Sequence, residues 1–397
     1  MKQVNKFYLA SFLKNQTYFV PIMVLFFQDL GLNYSQIFWV FTVGSIFSFI
    51  IEIPTGVFAD IYGKRRSLIL SKFLIFLSYL SFGLAGNFIT LLLANLILEL
   101  GKSFRSGTET AFVYNYLYEN KDSGPTYNKV KSGQKFYARL SESIGAALGG
   151  FLAYKYGFNF VFFVAAIPAF INFIQTLSWE KISELNVKGR DMNLRTNYDF
   201  ALLAFKKIIR TKDLRNLVLN IGIFSAALAA INKFIQPYMN NLGVELQYFG
   251  FIYSGFLIFT AFLLKYSYIL EERLGNIRLM NILTWLAFIP LLILGLGFNS
   301  VIGVALFFII IMIENIRSPI ANTIFHQNID FDNRATMGSI LELFKSMFQL
   351  LILPVIGYVA DIISLETAIL IISFAVLASA SFFWVSTKRL QDKELRI

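Results

Sequence analysis

The stretch Glu52-Ile-Pro-Thr-Gly56-Val-Phe-Ala-Asp60-Ile-Tyr-Gly63-Lys64-Arg65-Arg66 ends a long apolar run on an acid, a glycine and three consecutive cations. This pattern reads as a transmembrane helix terminating in a short basic loop on the cytoplasmic side. Gly56 and Asp60 are four apart and share one helix face, so the glycine predicts close approach by a neighbouring helix one turn from the acid. Gly63 permits a tight reversal, and Lys64, Arg65 and Arg66 hold the loop at the inner face. Glu52 lies about 12 Å along the helix from Asp60 and reads either as an anchor for the helix-end packing, the favoured reading, or as a member of the proton path.

Outward from this stretch the chain is 56% hydrophobic and 15% charged over 397 residues, against about 45–50% and about 25% in soluble domains. The composition specifies an all-α polytopic membrane protein. The net charge of +11 sits in short loops between apolar runs, which is how topology is set rather than how phosphate is bound, so no nucleic-acid partner is expected. No cysteine and a single histidine, His326, leave no set of side chains for a cysteine or histidine metal site. His326 itself reads as structural. The first apolar run, near 7–29, is too long for a signal peptide and counts as a span.

A span needs about 20 residues. Runs of that size fall near 7–29, 36–59, 67–86, 89–116, 132–154 and 159–178, and again near 216–239, 247–270, 279–297, 302–327, 335–360 and 367–385. The expectation is twelve transmembrane helices in two pseudo-symmetric halves: a six-helix bundle over 1–178, a cytoplasmic linker over 179–215 and a second bundle over 216–397. Of the 35 lysines and arginines, 24 fall in segments that are cytoplasmic if the N-terminus is inside, and only Lys155 falls in an external loop. Both termini are therefore expected in the cytoplasm, the protein in the plasma (inner) membrane. In the linker, Asp199 to Arg210 alternates apolar and basic residues at helical spacing, as an amphipathic helix on the inner leaflet would.

An internal repeat supports two halves. At a constant offset of 212 residues, Leu30-Gly31 meets Leu242-Gly243, Gly63 meets Gly275, Arg66 meets Arg278 and Arg105-Ser106 meets Arg317-Ser318. The second copy of the opening motif is eroded. It keeps Glu272 and Gly275, but Asn276 and Ile277 replace two cations, so the two loops are not mechanically equivalent.

The order glycine, three residues, Asp, two residues, glycine and a basic run, preceded by Glu-Ile-Pro-Thr, resembles the loop between helices 2 and 3 of the major facilitator superfamily, in particular its bacterial drug-efflux-like members. Arg105-Ser-Gly-Thr-Glu109-Thr-Ala is similar to the fourth-helix signature of the drug-antiporter-like members. Gly145-Ala-Ala-Leu-Gly149-Gly150 is similar to the glycine-rich fifth helix of antiporters, with alanine where that pattern has proline. The resemblance implies that Gly56, Asp60, Gly63, Lys64, Arg65 and Arg66, with Glu272 and Gly275, form a conformational switch. It also implies that helices 1, 4, 7 and 10 surround a central cavity and that helix 7 is broken near its outer end, where Gln236-Pro237 would serve as a gate.

Charges that remain inside the spans are costly and therefore informative. In the fourth span, Glu99, Lys102, Arg105 and Glu109 fall within about 120° of arc on a continuous helix, and Arg105 and Glu109 have i,i+4 spacing. Glu314 and Arg317 occupy the repeat-related tenth span. Lys14, Asn15 and Gln16 in the first span, and Asn232, Lys233 and Gln236 in the seventh, complete the candidate substrate and proton-coupling residues. Arg139 with Glu142 and Glu342 with Lys345 repeat one spacing with reversed signs. They read either as neutralised pairs within a helix or as locks between the halves.

No nucleotide-binding loop occurs. No cofactor and no catalytic residue is expected, and the energy source is then an ion gradient or the substrate gradient; exchange of a proton at a buried carboxylate is the physical basis for proton coupling. These readings converge on a secondary transporter, not an enzyme, that moves a small organic substrate by alternating access and exports it against protons as a monomer in the lipid bilayer. A proton-coupled uptake symporter of peptides, sugars or siderophores, and a non-transporting sensor on the same scaffold, are the alternatives.

Overall fold

A computed structural model describes residues 2–120, 125–182, 208, 210–264, 266–297, 301–327 and 334–383. The amphipathic stretch expected over Asp199 to Arg210 lies almost wholly outside the described residues. Every regular element among them is helical. In chain order these are α1 (Gln3–Lys14), α2 (Met23–Asp29), α3 (Tyr34–Tyr62), α4 (Lys64–Gly83), α5 (Phe88–Arg105), α6 (Thr108–Glu119), α7 (Tyr127–Tyr156) and α8 (Phe158–Leu177). They continue with α9 (Lys212–Asn241), α10 (Leu246–Leu264), α11 (Ser267–Leu274), α12 (Asn276–Gly295), α13 (Val301–Gln327), α14 (Arg334–Ile362) and α15 (Leu365–Phe382).

Eight of these helices are long and apolar enough to cross a bilayer: α3, α4, α8, α9 and α12 to α15. The other four expected spans are helical but differ in kind. The first and fourth are each split in two, α1 with α2 and α5 with α6, and the fifth, α7, carries several charges. The eighth is apolar over Leu246–Thr260, and a separate short helix, α11, follows it.

The chain forms two compact units. One comprises Met1–Leu32, Trp39–Val187 and Gly243–Leu257; the other comprises Asn33–Phe38, Lys188–Leu242 and Ile258–Ile397. The 212-residue offset reappears in the backbone. Gly31 and Gly243 both have positive φ (80° and 75°), as do Gly63 and Gly275 (98° and 73°). Each glycine of the second pair caps the 20-residue helix that follows it, α4 or α12. Only glycine adopts this turn without strain, which is why the pattern is visible in the sequence.

In a bilayer, apolar burial gives little preference for helix–helix over helix–lipid contact, so close packing and inter-helix hydrogen bonds hold the helices together. In the first unit, Ser67 and Ser71 of α4 donate to the Phe104 and Gly101 carbonyls of α5 at 2.8 and 2.6 Å. Asn95 of α5 donates to the Val40 carbonyl of α3 at 2.9 Å, filling the place a side chain at Gly44 would take. One such bond contributes roughly 0.6 kcal/mol. Phe19 and Phe82 stack on Phe162, with Phe26 tilted against the same ring, and Phe7, Phe112 and Trp179 form a second aromatic cluster in this unit. In the second unit, Gly222 of α9 lies against Phe348 of α14 and Gly295 of α12 against Leu370 of α15.

The second unit also includes the first turn of α3. Asn33 and Gln36 form a reciprocal cap, each side chain accepting from the other's backbone N–H. Asp361, at the end of α14, accepts from the N–H groups of Tyr34 and Ser35 at 2.7 and 2.8 Å and from the Ser35 hydroxyl.

Candidate functional site

The first unit is built around two interrupted spans. In the first, α1 stops at Lys14, the Asn15 amide folds back onto the Ser11 carbonyl at 2.6 Å, and one turn of 3-10 helix, Val20–Ile22, leads into α2. The glycine column of α7 shelters this break. A Cβ on Gly145 would stand 3.2 Å from the Thr17 nitrogen, and one on Gly149 would collide with the Tyr18 carbonyl. Ser141 of α7 donates to the Phe12 carbonyl. In the fourth span, α5 ends at Arg105 and Ser106 leaves the helical conformation. Gly107 takes φ of 67°, and α6 starts at Thr108.

The two breaks carry the charges. Glu109, in the first turn of α6 and only 8% exposed, meets three cations. Its Oε2 is 3.1 Å from Lys14 Nζ and 3.9 Å from Arg105 Nε, and its Oε1 is 3.4 Å from Lys72 Nζ of α4. Lys72 is 2% exposed. Next to them Glu99 and Lys102 pair at 2.7 Å. A cavity of about 140 Å³ opens beside this cluster, lined by Lys14, Asn15, Lys72, Lys102, Arg105 and Asn172 among others. Discontinuous transmembrane helices meeting at buried charge are the usual setting for substrate and ion sites in transporters.

The second unit holds a different arrangement. Arg317 of α13, 1% exposed, donates through Nε to the Thr284 hydroxyl of α12 at 2.9 Å and through Nη2 to the Asn220 side-chain oxygen of α9. Its guanidinium stacks 4.0 Å from the centre of the Phe224 ring. Glu314 stands 3.8 Å from Arg317, and its buried Oε2 has no hydrogen-bond partner among the described residues.

A family model described as "Major Facilitator Superfamily" matches residues 8–348. The chain belongs to the major facilitator superfamily. This major facilitator is 21% identical over 383 residues to the uncharacterized MFS-type transporter YxaM of Bacillus subtilis, covering 96% of this chain and 94% of that one. It is 26% identical over 238 residues to the multidrug resistance protein MdtG of a Rahnella strain, covering 59% of this chain and 55% of MdtG. Among solved structures, the nucleoside transporter NupG superposes with a TM-score of 0.80 at 15% identity, covering 96% and 98% of the two chains. A peptide transporter, POT, in complex with sulfate superposes at 0.74 and 15%, covering 99% and 95%. At these identities the two structures attest to the fold. The protein is a multi-pass membrane transporter, not an enzyme.

The structure of this major facilitator brings Lys14, Asn15, Lys102 and Arg105 to one cavity with Glu109 beside it, whereas Glu314 and Arg317 belong to the other unit. Gln16 is buried, and its Oε1 has no hydrogen-bond partner among the described residues. On α9, Asn232 is exposed, Lys233 half-buried and Gln236 buried.

Three expectations need correction. Glu109 does not share a continuous helix face with Glu99, Lys102 and Arg105, because Ser106 and Gly107 interrupt the span; it reaches the cluster from a second helix. Gly56 is not a close helix contact among the described residues, where a Cβ would have no heavy atom within 4 Å. Helix α9 is not broken at Gln236-Pro237 but runs unbroken from Lys212 to Asn241.

Arg139 with Glu142 and Lys345 with Glu342 pair within their own helices at 2.7 and 2.8 Å. In the opening motif, Gly63 makes the reversal and Arg65 donates to the Leu177 carbonyl. Lys64 is half-buried, while Arg66, Asp60 and Glu272 are exposed. Glu52 accepts from the Ser106 hydroxyl at 3.3 Å, beside the break in the fourth span. Sequence reasoning missed Lys72 and Asp361. A lone lysine inside an otherwise uncharged run was the available signal for the first; nothing local marks the second.

Proposed function

We propose that this transporter exports a small organic molecule by alternating access in exchange for protons, with both termini in the cytoplasm. The observation that carries the reading is the meeting of two broken spans at a buried charge cluster beside a cavity. Charges this costly are retained where something charged must bind or move. The distribution of lysines and arginines supports the orientation, and the multidrug resistance relatives support export.

The two acidic centres suit different tasks. A proton carrier must be tolerated in its neutral form. Neutralising Glu109 would leave Lys14, Lys72 and Arg105 facing one another. Neutralising Glu314 would remove the carboxylate paired with a single cation, Arg317, whose hydrogen bonds to Thr284 and Asn220 and whose stacking on Phe224 would remain, so its cost is smaller than that of leaving three cations together. Glu314 is therefore assigned the proton, and the Glu109 cluster the substrate.

The test uses the full chain in proteoliposomes loaded with a pH-reporting dye, under an imposed pH gradient, in both orientations. Substrate-driven proton movement opposite to the substrate, lost in Glu314→Gln, is the expected result. Movement in the same direction would establish uptake symport instead, and unchanged coupling in Glu314→Gln would remove the assignment.

A further inference from the structure

The cavity of the first unit carries more positive than negative charge. Four cations line it: Lys14 from α1, Lys72 from α4, and Lys102 and Arg105 from α5. Two carboxylates answer them. Glu99 is engaged by Lys102 at 2.7 Å, and Glu109 is shared among Lys14, Lys72 and Arg105. Three cations thus depend on one acid, and Lys72 at 2% exposure cannot satisfy its charge in water. A further cation stands close by, since Lys131 donates to the hydroxyl of Thr110, the residue after Glu109, at 3.2 Å. Buried charge left without a counter-charge is strongly unfavourable. Asn15 and Asn172 add amide groups to the same wall.

We infer that this cavity binds the anionic group of the transported molecule, a carboxylate, phosphonate or phosphate, with Lys14, Lys72 and Arg105 as its direct partners. The inference rests on the transport reading above and names the substrate class for that site. The volume suits it. About 140 Å³ compares with the roughly 150 Å³ cavity that accepts benzene, so a carboxylate or phosphonate with a small organic body fits, and a large amphipathic drug does not fit entirely. Ammonium and guanidinium donors are the groups that recognise such oxygens through charge-assisted hydrogen bonds. Glu109 then serves as the resident counter-ion that holds the three cations in place until the ligand's anion joins them. Its removal should strengthen anion binding, whereas loss of any of the three cations should weaken it.

The experiment uses the purified full chain in phosphatidylcholine vesicles and measures thermal stabilisation and binding isotherms. The probes are benzoate and phenylphosphonate, set against the neutral benzamide and the cationic benzylamine. Benzoate and phenylphosphonate should bind, and benzamide and benzylamine should not. Lys72→Gln and Lys14→Gln should each weaken benzoate binding about 10- to 100-fold. Lys102→Gln, at a side chain that is 43% exposed, should weaken it a few-fold, and Glu109→Gln should tighten it.

Equal binding of benzylamine, absence of anion binding, or a Glu109→Gln effect of the same sign as Lys72→Gln would each overturn the proposal. In phosphatidylglycerol vesicles the benzoate response should persist; its loss there would assign the cavity to a lipid headgroup and remove the substrate reading. Counterflow of labelled benzoate separates the two levels. Anion binding without flux keeps the site and removes transport of these anions, while flux of cationic compounds without anion binding keeps transport and removes the site.

Discussion

Replacing Glu109 by glutamine keeps the side chain's shape and removes the acid shared by Lys14, Lys72 and Arg105. The three cations do not suffer equally. The side chains of Lys14 and Arg105 are 26% and 25% exposed and can turn toward water, so each should lose no more than about 1 kcal/mol. Lys72 is 2% exposed and cannot turn toward water, so it bears the main cost. Breaking a buried pair by deleting one partner costs about 3–5 kcal/mol, and the 3.4 Å separation places this pair toward the lower end.

A loss of about 3–4 kcal/mol is therefore expected for Glu109→Gln, on the order of 1–2 kcal/mol for Lys72→Gln, whose carboxylate keeps two other cations, and less than their sum for the double variant. Equilibrium denaturation of the full chain in detergent, followed by tryptophan fluorescence, measures all three. Strict additivity, or a Glu109→Gln variant within about 0.5 kcal/mol of the parent, would refute the argument that Lys72 depends on Glu109.

Other consequences can be checked in parallel. Gly149→Ala places a methyl group on the Tyr18 carbonyl and should cost about 1–3 kcal/mol, whereas Gly56→Ala, in open space among the described residues, should stabilise by roughly 0.5–1 kcal/mol; thermal unfolding of the pair compares them. Asp361→Ala should cost about 0.5–2 kcal/mol through the lost cap on α3 and should speed hydrogen exchange at the Tyr34 and Ser35 amides more than elsewhere in that helix. Asp60→Asn should impair substrate flux more than Glu272→Gln, because the second loop has lost two of its cations. Equal damage would remove that asymmetry.

The contrast between what was legible in the sequence and what was not follows from distance along the chain. Glu99 with Lys102, Arg139 with Glu142, Glu314 with Arg317 and Glu342 with Lys345 are each three apart, and helical geometry alone brings them together. The 212-residue repeat was readable because Gly31, Gly63, Gly243 and Gly275 occupy turns that other residues resist. Lys72 finds its acid 37 residues away, and no spacing rule connects an α4 lysine to an α6 glutamate.

The breaks were hidden for another reason. Around Asn15 to Tyr18 and Ser106-Gly107 the flanking apolar runs continue, so hydropathy reads one span where the backbone makes two helices. What allows the first interruption is the glycine column of α7. Its residues are visible in the sequence, but its partner is not. Likewise Pro237 suggested a break in α9 that the structure does not have, since packing in a bilayer tolerates proline within a helix.

The cap that Asp361 places on α3 also constrains how the protein is made. The acid and the amides it receives are 327 residues apart. At about 5–20 residues per second, the ribosome delivers Asp361 about 16–65 s after Tyr34. During that interval the first turn of α3 lacks this acceptor, as an early helix awaiting a late residue. Completion of α14 thus adds the last acceptor to a turn already capped by Asn33 and Gln36, and ties the end of a late helix to the beginning of an early one.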